Sequence, residues 1–130
     1  MQLFFLKKTI FSKVGGFDEN IFLYHEDDDL SLRLKNTVGP LMYCPQANVI
    51  HEGGNSSLRN PKTAMLKGFH MGKSRVYAMK KYKINNYKVK CLLFAIIQLM
   101  SIEMLFSKRK RAKYLAFFKG VKEELKEDKV

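Results

Sequence analysis

Acidic residues are in short supply. Only 12 Asp and Glu face 24 Lys and Arg in 130 residues, leaving a formal net charge of +12. Cysteine is scarcer still. Cys44 and Cys91 show neither a Cys-x-x-Cys nor a Cys/His ligand spacing. That excludes a disulfide framework or a zinc ribbon, and predicts two buried free thiols in a reducing compartment. No apolar run is long enough to span a bilayer. The longest, residues 91–106, is broken by Gln98, Ser101 and Glu103. As a helix it would reach roughly 24 Å against a hydrocarbon core of ~30 Å. The N-terminal Met-Gln-Leu-Phe-Phe-Leu-Lys-Lys places its charges after its apolar residues, the reverse of a secretory signal. There is no internal repeat and no low-complexity tract.

The charge that is present is divided unevenly. Residues 1–60 hold six bases against seven acids, for −1; residues 61–130 hold eighteen bases against five acids, for +13. This asymmetry predicts an acidic site in residues 1–60 joined to a basic amphipathic tail in 61–130. The counterpart expected for the tail is an anionic membrane surface or a phosphate-bearing ligand. Nucleic acid is not expected, because the aromatics of the basic half fall on apolar helix faces and form no stacking platform.

Along the chain, Leu3-Phe4-Phe5-Leu6 reads as a short buried strand. Residues 7–14 read as a helix stopped by Gly15-Gly16, a pair that permits positive φ. As structure the pair is a helix stop; as function it would let backbone approach a sugar. The four acids Glu26-Asp27-Asp28-Asp29 precede Leu30, Leu34 and Val38 at helical spacing, so they open a helix ended by Gly39-Pro40. The helix N-terminus favours them electrostatically, while their mutual repulsion raises their pKa values. Residues 41–44 and 47–50 read as two further short strands, the first stopped by Pro45 and the second delivering His51. A Gly-, Ser- and Asn-rich loop follows. Pro61 opens an amphipathic helix over 62–82, and residues 112–127 form another.

Taken in order, Gly15-Gly16-Phe17-Asp18-Glu19, Phe22-Leu23-Tyr24, Glu26-Asp27-Asp28-Asp29-Leu30, Arg33, Pro45 and His51-Glu52-Gly53-Gly54 resemble the second half of family-2 glycosyltransferases of the GT-A fold, especially the rhamnosyltransferase-like bacterial enzymes. The resemblance covers about residues 3–60. It implies an α/β fold: a partial GT-A-like half domain of short strands with helices, followed by the mostly α-helical basic tail. It also implies that the nucleotide-binding half, with its own Asp-x-Asp metal motif, is absent from this stretch.

The activity implied is inverting sugar transfer from a nucleotide-sugar donor to a glycan or lipid-linked acceptor, at the inner face of the cell membrane. Asp27 falls at the catalytic base, with Glu26 as a hydrogen-bond partner of the acceptor and Asp29 as a cap or orienting residue. Gly15 and Gly16, with Gly53 and Gly54, would line the substrates, and Asn55, Ser56 and Ser57 the donor phosphates. His51 would help hold a divalent cation, Mn or Mg, completed by the absent half. Arg33 is read more simply, as an i,i+4 helix ion pair with Asp29. A rival reading makes the chain a non-enzymatic basic module for a membrane surface or a protein partner, with the acid run purely structural.

Overall fold

The computed structural model describes residues 5–48, 50 and 58–127. Among the described residues six helices follow one another: α1 (Lys8–Lys13), α2 (Glu26–Thr37), α3 (Pro61–Lys81), α4 (Tyr87–Leu99), α5 (Glu103–Phe106) and α6 (Lys108–Glu127). Their ends obey local rules. After α1, Gly15 and Gly16 take φ of +82° and +69°, a region that penalises any Cβ. Pro61 sits in the first turn of α3, and the Asn60 side chain accepts the Thr63 backbone N–H at 2.8 Å, satisfying one of the donors a helix start leaves open.

No strand forms among the described residues, which overturns the expected α/β, GT-A-like half domain. The physical reason is that a strand needs a neighbour for its backbone N–H and C=O groups. Residues 41–44 have none: Met42 and Tyr43 are almost fully exposed. Phe5 and Ile50, at the other two expected strands, are equally bare; Leu3, Phe4 and Val49 lie outside the described residues. Cys44 is exposed rather than buried, whereas Cys91 is fully buried as expected.

The centre of the molecule is the pairing of α3 with α6. Gly68 of α3 lies against the Lys113 backbone, Gly72 against Phe117, and Gly120 of α6 against Phe69. Both chains advance together, so the two helices run parallel. Glycine is required at these crossings because the helix backbones touch. A Cβ built on Gly120 would stand 2.1 Å from the Phe69 carbonyl oxygen, and one on Gly72 2.4 Å from that of Phe117. Val76, Phe117, Val121 and Leu125 fill the seam, and α4 closes it with Cys91 and Ala95. Phe94 of α4 meets Phe117 edge to face, ring centroids 5.8 Å apart, and the Arg75 guanidinium lies 4.1 Å above the Phe94 ring. At the far end Lys73 draws together Glu123, Glu124 and Glu127 of α6.

Replacing a helix-interior glycine by alanine normally stabilises by about 1 kcal/mol. Here backbone stands in the way on both sides, so separation of the helices outweighs that gain. Gly120→Ala is expected to lower stability by about 1–3 kcal/mol, read as a reduced urea midpoint at unchanged slope. A midpoint equal to or above that of the parent chain would show that the crossing is loose.

Candidate functional site

The acid run opens α2 as its charge pattern requires, with all four carboxylates in the first turn near the positive end of the helix dipole. Approach to that turn is strained. Tyr24 and His25 both adopt positive φ, 66° and 68°, though neither is glycine. Such residues cost of order 1–3 kcal/mol each and persist only where surroundings hold them. Here the surroundings are on α3. The buried Ser74 hydroxyl donates to the Leu23 carbonyl at 2.9 Å, and Phe22 rests on the His70 ring at 4.5 Å between centroids. Within the turn, His25 Nδ1 lies 3.2 Å from Asp28 Oδ2.

The four acids do not share one environment. Asp29 is buried, its side chain wholly enclosed. Lys81 Nζ donates to its Oδ1 at 2.5 Å, and the Tyr82 hydroxyl donates to the same oxygen at 2.5 Å. Arg33 Nε donates to Oδ2 at 2.7 Å, the helix ion pair expected from the i,i+4 spacing, and Arg33 Nη1 also reaches the Val14 carbonyl at 2.6 Å. The guanidinium thereby fastens the chain next to Gly15 onto α2. Lys81 serves a second carboxylate: it donates to Asp18 Oδ2 at 2.7 Å, alongside the Tyr77 hydroxyl at 2.9 Å. Asn20 closes the loop by donating its backbone N–H to Asp18 Oδ1 at 3.0 Å.

These contacts reverse the direction expected from crowding. Burial pushes the Asp29 carboxyl up, but Lys81, Tyr82 and Arg33 outweigh it and hold the group below the usual carboxylate range. Asp18 is likewise depressed, its burial overcome by Lys81, Asn20 and Tyr77. On the partners the signs invert. Lys81 is raised by its two carboxylates against its own burial, and burial together with Asp29 pushes Tyr82 up to about 12. Asp29 is therefore an anchor between elements rather than a helix cap.

Asp27 and Glu26 are placed differently. Both are half-buried in the first turn of α2, and no described side chain pairs with Asp27. Oε2 of Glu26 is shielded from solvent and finds no hydrogen-bond partner among the described residues, a costly state for a carboxylate oxygen. His51, Gly53, Gly54, Asn55, Ser56 and Ser57 lie outside the described residues. Among the described residues no three His, Cys, Asp or Glu side chains converge where a cation could sit.

Ser74, Tyr77 and Lys81 do not stand out in the sequence as site residues. Their spacing of three and four places them on one face of α3, and that polar stripe is the signal that could have found them. Asp18 is masked by the turn motif that contains it.

Over 56 residues the chain is 41% identical to N-acetylglucosaminyl-diphospho-decaprenol L-rhamnosyltransferase of Mycobacterium tuberculosis, in strains CDC 1551 / Oshkosh and ATCC 25618 / H37Rv. The match takes in 43% of this chain and 18% of that relative, so the chain spans under a fifth of the relative's length. No family model matches, and no solved structure does.

Two outcomes test the anchor. Lys81→Met leaves two carboxylates facing each other without their cation, and is expected to cost about 3 kcal/mol in chemical denaturation, whereas Asp27→Asn leaves stability unchanged. The pH dependence follows from the shifts. Asp18 and Asp29, depressed in the fold, contribute stability that is present above about pH 4 and lost as pH falls below it. Lys81, Tyr77 and Tyr82, raised in the fold, contribute stability that is present below about pH 10 and lost as pH rises beyond it. A plateau between about pH 5 and 9 with a fall on both sides is expected; an acid limb unchanged by Lys81→Met would contradict the network.

Proposed function

We propose that this chain carries the acceptor side of a glycosyltransferase active site, with Asp27 as the base. One observation carries the reading. Of four consecutive acids, Asp29 is consumed as an anchor, while Asp27 and Glu26 lie half-buried on the same held turn outside that network, Glu26 Oε2 without a partner among the described residues. Carboxylates left unpaired on a held turn are what a hydroxyl substrate requires. The relative's name supports the class: it is a rhamnosyltransferase named for an N-acetylglucosaminyl-diphospho-decaprenol acceptor. Applied here, the donor is a nucleotide sugar and the acceptor a lipid-linked or surface glycan.

In this reading the acceptor hydroxyl sits between Glu26 and Asp27. Glu26 accepts a hydrogen bond from the acceptor and orients it. Asp27 takes the proton as the acceptor oxygen bonds to the anomeric carbon, and the bond from that carbon to the nucleoside diphosphate breaks, inverting the centre. The Gly15–Gly16 turn, held to α2 through Arg33, lets backbone approach the sugar without a Cβ in the way. A Mn or Mg ion would neutralise the leaving diphosphate. His51 is its proposed ligand, together with groups beyond the described residues. Donor binding is assigned to a part of the enzyme outside this chain's match.

The test is Asp27→Asn in the enzyme that joins this chain to its donor-binding part, assayed with nucleotide-sugar donor and lipid-linked acceptor. Loss of a general base typically costs about 10²–10⁴-fold in rate. The fall is expected in turnover, with donor affinity and thermal unfolding unchanged. Activity within a few-fold of the parent would remove Asp27 from the base role.

A further inference from the structure

The outer side of α4 and α5 is not accounted for by sugar transfer. Val89, Leu93, Ile96, Ile97 and Met100 are all exposed, and their spacing of four, three, one and three sets them on one helix face. The opposite face, with Cys91 and Ala95, is the one α4 gives to the core. Beyond the break at Met100, Ile102 and, on the short α5 segment, Leu105 and Phe106 are exposed as well, the last 83%. Soluble surfaces rarely keep so many large apolar side chains contiguous unless something covers them.

Charge identifies the cover. Between residues 87 and 113 there are seven bases and a single acid, Glu103. Lys88 and Lys90 stand at the start of the strip; Lys108 and Arg109 stand at its end, both exposed. Glu103 does not offset them, because Lys110 ion-pairs with it and the Tyr114 hydroxyl donates to it at 2.6 Å. The surface is therefore an apolar band with positive charge at both ends. A second copy of this chain stacked on it would oppose base to base, which like-charge repulsion disfavours. An anionic bilayer instead offers headgroups to the bases and acyl chains to the band. No helix among the described residues is long and apolar enough to cross a membrane, so the fit is to lying in the interface plane.

We infer that α4 and α5 form a membrane-docking face that lies in the headgroup region of an anionic bilayer, with the apolar band buried and Lys90, Lys108 and Arg109 among the phosphates. This holds whether or not Asp27 is a catalytic base, since none of its residues belongs to that site. The α3–α6 pair stands behind the face, so docking would hold the α2 turn at a defined height above the lipid.

Cosedimentation of the full chain with vesicles of phosphatidylcholine, with and without phosphatidylglycerol, reads this directly. Binding is expected only with the anionic lipid, and it should weaken in high salt. Changing Lys90, Lys108 and Arg109 together to Gln should reduce partitioning at low salt about a hundredfold. Arg111 and Lys110 are left intact because they hold the Met104 and Leu105 carbonyls and Glu103. Leu93→Ser with Phe106→Ser, both on exposed positions, should abolish binding while the helical circular dichroism is retained. Equal recovery in the supernatant with either lipid, equal binding to neutral vesicles, or a dimer that dissociates on Leu93→Ser would each overturn the inference.

Discussion

Lys81 holds the site half of this molecule in place. One ammonium at the end of α3 binds two carboxylates that lie 11 residues apart in sequence, Asp18 and Asp29, and more than 50 residues before it. Tyr77 and Tyr82 complete the shell from the same stretch of chain. Removal of charges from water is expensive unless each is matched, and here every carboxylate oxygen in the pair of acids has a donor. The consequence is geometric. The first turn of α2 cannot rotate without breaking this network, so the neighbouring Glu26 and Asp27 are presented at a set angle. The positive φ of Tyr24 and His25 is tolerated for the same reason, since Ser74 and His70 hold the chain just before it.

That network is only as firm as the helix that bears it. α3 is positioned by direct backbone contact with α6 at three glycines, a tighter contact than side chains alone allow. Because the helices run parallel, the chain must return between them, and α4 with α5 makes that return. The return path has one face against the Val76–Phe117–Val121 seam and one face left over. The apolar band is thus a by-product of topology that charge at its two ends makes usable. The α2 turn and the apolar band are two products of one scaffold, with the glycine crossing between them.

A glycosyltransferase reading fits this arrangement because it uses what the anchor leaves over. An ion network alone would explain Asp18, Asp29 and Arg33 but not a shielded Glu26 oxygen without a partner among the described residues. Asp27, half-buried on the same turn and outside the network, is the carboxylate a substrate hydroxyl would meet. The rhamnosyltransferase similarity, confined to 56 residues, points to the same class of chemistry.

Local signals are legible in the amino-acid order alone. The helix spans, the Gly15–Gly16 stop, the Pro61 start and the Arg33–Asp29 pair all act within a turn or two of chain, where spacing determines the contact. The run of acids likewise marks a helix start. Its internal division is not legible: crowding predicts raised pKa values, and only the arrival of Lys81 and Tyr82 from the end of α3 depresses Asp29 instead. The strands fail for a related reason. A segment such as 41–44 has strand-like residues, but a strand exists only by pairing, and pairing is a property of two segments. Glycines 68, 72 and 120 read in sequence as ordinary weak points of a helix, and only the crossing of α3 over α6 turns them into requirements. The chain by itself determined α1, α2, α3 and most of α6, and its charge asymmetry. Tertiary structure decided which acid is anchor and which is free, and which apolar face meets water, because both depend on groups brought together from distant positions.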